Sequence, residues 1–116
     1  MLLVSLLAVG SRASTNEDLY KWCKSYTDRG FEVETVTDAY CIGFFDGISS
    51  LASDTCTIAK KTPEGVLYFL SIDRTKYSRD AAIQQYVNTI KSTPDKWTFG
   101  AHGEVLGAAK TVAPCK

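Results

Sequence analysis

The sequence holds one histidine, one methionine and three prolines, and its 13 basic residues are cancelled by 13 acidic ones. With His102 as the lone imidazole, a nucleophile has a single histidine base to draw on, and no motif around Ser or Cys matches it. No C-x-x-C pair occurs and no cysteine stands at ligand spacing from His102, so no metal site is expected. Phosphate loops, metal-ligand helices and dinucleotide fingerprints are absent, so no cofactor is expected either. The charge balance provides no net positive field for a phosphate backbone or an anionic lipid surface. Neither nucleic acid nor membrane is an expected partner. No apolar run approaches the roughly 20 residues that a membrane span needs.

What the chain does have is apolar content and cysteine. At 116 residues and 45% hydrophobic, it has enough for one compact core and too little for two domains. Residues 1–9 are almost wholly apolar and lead into Gly10, Ser11, Arg12, Ala13 and Ser14, with Ser11 and Ala13 at the small positions before a cut at Ser14. Residues 1–13 therefore read as a signal-peptide segment lacking its usual basic start, and residues 14–116 as a single domain. A buried N-terminal segment is the alternative. The even count of four cysteines, Cys23, Cys41, Cys56 and Cys115, in so short a chain favours two disulfides and an oxidising compartment. Three pairings are open at this point.

Periodicity predicts a helical protein. Asn16–Tyr26 begins with a capping residue, carries Glu17 and Asp18 in its first turn, and aligns Leu19, Trp22, Cys23 and Tyr26. Residues 27–36, with Gly30 and mixed charge, suit a connection. A central helix runs from a cap at Thr37 or Asp38 to about Ser53, with Cys41, Phe44, Phe45, Ile48, Leu51 and Ala52 as a broad apolar stripe. Gly43 and Gly47, one turn apart on it, weaken the helix and predict the close approach of another backbone. In residues 57–70 two readings are equal: a β-hairpin turning at Thr62–Gly65, or a short helix capped by Thr62 with Pro63 behind it. A further helix capped by Ser78 or Asp80 carries Ala81, Ala82, Ile83, Tyr86, Val87 and Ile90 up to Pro94. The last starts near Asp95 and turns Trp97, Ala101, Val105, Ala108, Ala109 and Val112 inward, while Gly100, Gly103 and Gly107 permit close packing or a close partner surface. The expected fold is a mostly all-α bundle of four to five helices with two disulfides and at most one short hairpin.

No catalytic residue is assigned. Asp46, beside Phe44 and Phe45, is the carboxylate most open to a chemical role, and His102 the one candidate base; the plainer reading of each is a solvated surface group. An enzyme using either is the third class of function. Lys60 and Lys61 followed by Asp73, Arg74, Lys76, Tyr77, Arg79 and Asp80 form a dense charged cluster around one aromatic. A solvated loop is the plainer reading; a protein-recognition surface is the functional one, because Tyr and Arg recur at binding hot spots.

An exported chain with DLYKWC, then CIGFFDG, then a third cysteine and a P-x-x-W segment ending in APC resembles the Rap/Tai family of immunity proteins. These protect bacteria against type VI secretion peptidoglycan amidases. The family's C-x-G-aromatic-x-x-G helix is matched by Cys41, Gly43, Phe44 and Gly47, and Tyr86 to Cys115 follows the family spacing without gaps. The resemblance covers Asp18 to Cys56 and Tyr86 to Cys115. It departs in a longer stretch over residues 57–77, in Thr93 where a histidine is frequent, and in Ala113 where phenylalanine is usual. It implies a small helical periplasmic protein, not an enzyme, with Cys23 bridged to Cys41 and Cys56 to Cys115. It also implies a homodimer that occludes the cleft of a cognate amidase and protects the producing cell and its sisters, with Lys60, Lys61, Asp73, Arg74, Lys76, Tyr77 and Arg79 as toxin-binding candidates. The competing reading is a disulfide-stapled periplasmic carrier of a small apolar ligand, with Phe44, Phe45, Tyr68, Phe69 and Trp97 lining its pocket.

Overall fold

The computed structural model describes residues 15–51, 56 and 71–115. The hairpin-or-helix alternative for residues 57–70, the signal-peptide segment 1–13, and Lys60, Lys61, Tyr68 and Phe69 all lie outside them. Among the described residues there are four α-helices and no strand: α1 Asn16–Asp28, α2 Val36–Leu51, α3 Arg79–Lys91 and α4 His102–Val112, with a 3-10 turn at Pro94–Lys96. The fold is an all-α bundle with two disulfides, Cys23 to Cys41 and Cys56 to Cys115.

The first three helices begin where a side chain can satisfy a free N–H group, whereas α4 follows Ala101 and has no side-chain cap. The cap of α1 is Thr15, whose hydroxyl accepts from the Asp18 N–H at 3.4 Å, and not Asn16. Asn16 is displaced from capping because its side chain is buried and bonded elsewhere. For α2 the cap is Thr35, not Thr37 or Asp38: the Thr35 hydroxyl accepts from the Asp38 N–H at 3.3 Å. The Asp38 carboxylate reaches back to the Thr35 N–H at 3.0 Å, a reciprocal box in which the sequence T-x-x-D serves both groups. Ser78 caps α3 through the Ala81 N–H.

The main core gathers one face of each helix. Leu19, Cys23 and Tyr26 of α1, Cys41 and Phe45 of α2, Ile83, Tyr86 and Ile90 of α3 and Val105 of α4 are all essentially inaccessible to water. The Phe45 and Tyr86 rings meet edge to face at 5.6 Å, and Tyr20 stacks on Trp97 at 5.5 Å. A smaller cluster of Ile72, Leu106, Ala109 and Ala113 fixes residues 71–78 against α4, with the Asp73 N–H donating to the Ala113 carbonyl at 2.9 Å.

The last helix starts at His102, seven residues later than the pattern around Asp95 predicts. The intervening backbone has other partners. The Trp97 and Phe99 carbonyls accept from the Glu17 and Asn16 N–H groups, each at 2.9 Å, so the segment after Pro94 completes the open end of α1 and cannot also continue a helix. Asn16 closes the same junction, donating to the Lys96 carbonyl at 2.9 Å and accepting from the Tyr86 hydroxyl at 2.9 Å.

The close backbone approach expected at Gly43 and Gly47 is not found among the described residues. A Cβ built at Gly43, Gly47, Gly100, Gly103 or Gly107 meets nothing within 4 Å, so no backbone is packed against any of them among the described residues. Gly43 and Gly47 lie on the exposed side of α2, away from Phe45.

Candidate functional site

The charged cluster picked out over residues 73–79 is held to the body of the protein. The Asp73 carboxylate accepts from the Thr75 N–H at 3.0 Å and hydroxyl at 2.6 Å, fixing a tight turn. Arg74 donates to the Ser49 carbonyl at 2.6 Å, near the end of α2. Arg79 lies 3.5 Å from the Asp46 carboxylate and 3.6 Å from that of Asp80. Tyr77 is half-buried against both core clusters, and its burial pushes the phenol above its ordinary pKa. Lys76, 3.9 Å from Asp73, is exposed. The structure therefore brings Asp73, Arg74, Lys76, Tyr77 and Arg79 together, with Arg74 and Arg79 tied to α2 and the Tyr77 ring packed on the core clusters.

The two groups considered for chemistry do not meet. Asp46 is an exposed carboxylate paired with Arg79, and its carbonyl accepts from Ser49 and Ser50. His102 is exposed at the start of α4, its ring 5.2 Å from that of Phe44. Both contribute to the outer surface, and His102 lines an open groove of about 270 Å³ with Gly43, Phe44, Gly47 and Ile48. Of the other aromatics named as pocket lining, Phe45 is wholly buried and Trp97 is spent on Tyr20 and on a 3.0 Å bond to the Ile90 carbonyl. No group of three or more His, Cys, Asp or Glu side chains among the described residues is arranged to hold a metal ion.

A second braced surface lies in the stretch that reads in sequence as a plain connection, residues 27–36. Gly30 and Phe31 both take left-handed backbone angles, φ 70 and 64, where a non-glycine residue costs on the order of 1 kcal/mol. Phe31 is kept there by an edge contact with the Tyr26 ring at 5.5 Å and by its N–H donating to the Tyr26 carbonyl at 3.1 Å. Beneath the loop the Asp38 carboxylate is fully buried. It accepts from the Glu34 N–H at 2.9 Å, the Thr35 N–H at 3.0 Å and the Arg29 guanidinium, and Arg29 also lies 3.3 Å from Glu34. Burial alone would push this carboxyl up; the hydrogen bonds from Glu34, Arg29 and Thr35 outweigh it and hold the pKa at about 2. The Cys23 to Cys41 bridge pins α1 to α2 close by.

On this scaffold Val33, Val36 and Tyr40 are 60%, 65% and 53% exposed, and Tyr40 meets the partly buried Trp22 ring at 5.3 Å. The chain carries no basic residue between Arg29 and Lys60, while Glu32 and Glu34 stand exposed in the same stretch. The signal available in the sequence was that gap in basic residues together with Val33 and Val36 in a polar connection and Tyr40 just beyond it. Comparison with protein-family models, with curated proteins and with solved structures gives no match for this chain.

Proposed function

We propose that this protein is a periplasmic immunity protein, exported through its N-terminal segment, that binds a cognate type VI secretion peptidoglycan amidase and occludes its active site. The observation that carries the reading is the cysteine pairing. The resemblance to the Rap/Tai family implied Cys23 with Cys41 and Cys56 with Cys115, and those are the bridges that form. Two disulfides in a chain of this size are consistent with an oxidising, exported compartment. Occlusion asks for no catalytic group, only a rigid surface of standard interface size with a few anchors.

Mixing the oxidised protein with secreted cysteine-type amidases and measuring both complex formation and residual cell-wall cleavage tests the proposal. Tight binding with loss of cleavage is expected; binding to none of them removes the reading. The resemblance further implies a homodimer, which light scattering of the free protein checks directly.

A further inference from the structure

We propose that residues 32–40, and not the charged segment 73–79, form the surface that enters the amidase cleft; this rests on the immunity reading above. Three observations on this surface converge. Val33, Val36 and Tyr40 are large apolar side chains more than half in water, the composition of an anchor awaiting a pocket. Their backbone is already fixed by the left-handed turn at Gly30 and Phe31, by Asp38 beneath Glu34 and Thr35, and by the Cys23 to Cys41 bridge, so little conformational entropy is lost on docking. The surface is acidic on balance: Glu32 and Glu34 are exposed, Arg29 at 3.3 Å from Glu34 is the cation beside them, and no basic residue stands from position 30 to position 59.

That charge selects the occupant. The peptide stems of the cell wall carry free carboxylates, so a cleft that binds them presents cations around an apolar floor. The exposed Glu32 carboxylate next to the exposed Val33 side chain offers such a cleft an acidic group and an apolar one together. A second copy of this chain fits poorly, because a two-fold contact through the same loop sets Glu32 and Glu34 against their own equivalents.

The test measures association and dissociation of the full oxidised chain with an amidase that the wild type inhibits. Glu32→Lys should slow association several-fold at low salt and flatten its salt dependence, and Val33→Asp or Tyr40→Ala should speed dissociation by about tenfold or more and restore cleavage. Lys76→Ala and a distant control, Lys91→Glu, should leave both rates within about twofold. Unchanged melting temperatures show that the variants fold. Wild-type inhibition that survives both Glu32→Lys and Val33→Asp overturns this inference alone; a wild type that binds no amidase overturns the functional reading and this inference with it. Dimer dissociation in Val33→Asp without any effect on amidase binding assigns the surface to a second copy instead, and likewise overturns it.

Discussion

Asp38 shows what a single residue does in this structure. It is buried, yet charged, because the Glu34 N–H, the Arg29 guanidinium and the Thr35 N–H all point at it. Since its folded pKa of about 2 lies below the roughly 3.9 of an unfolded aspartate, the stabilisation is complete above about pH 4 and is lost as pH falls towards 2. Asp38→Asn should therefore cost about 2 kcal/mol at neutral pH and flatten the acid limb between pH 4 and 2, as denaturant melts across that range will register. Tyr86→Phe is a second case. Its hydroxyl donates to Asn16 in the interior, and its removal leaves a buried acceptor unmatched, with an expected loss of about 1–2 kcal/mol. Neither role was legible in the sequence, where Asp38 looked like one of two possible caps and Asn16 like another. A capping residue is recognisable from local spacing, but a side chain withdrawn from the cap by a partner 70 residues away is not.

At the scale of the element, apolar spacing sufficed for α1, α2 and α3, because each has a face that must leave water and a threonine or serine at its start. It misplaced the beginning of α4. The residues from Asp95 onward do have helical periodicity, but the Trp97 and Phe99 carbonyls are taken by the first N–H groups of α1. The glycines of α2 were misjudged for a related reason: a glycine pair predicts a close neighbour only if that face turns inward, and Gly43 and Gly47 turn outward. Because added methyl groups meet nothing there, Gly47→Ala should stabilise the protein by about 0.5–1 kcal/mol in thermal or denaturant unfolding. A loss of stability would show that the face is covered in solution. The disulfides also differ in weight. Their sequence separations of 18 and 59 imply about 3 and about 4 kcal/mol of chain-entropy stabilisation, so replacing Cys56 and Cys115 by alanine should lower the unfolding free energy more than replacing Cys23 and Cys41.

Over the whole molecule, the sequence conveyed the all-α class and its two disulfides, while its charge density pointed to a stretch other than the one that holds Val33, Val36 and Tyr40 in water. Charge density drew attention to residues 73–79, whereas three-dimensional contacts spend Arg74, Tyr77 and Arg79 on holding that segment down. Residues 32–40 appeared unremarkable because nothing local announces that Val33 and Val36 stay in water while a buried ion pair braces the loop behind them. The junction at the start of α1 has a further consequence, in time. Its Asn16 side chain and first N–H groups find their partners at positions 96, 97 and 99, so α1 is completed by residues far later in the chain. Helical bundles usually fold through local contacts and fold fast; this one must close a span of 80 residues before α1 is capped on all sides, and should fold more slowly than its helix content alone suggests.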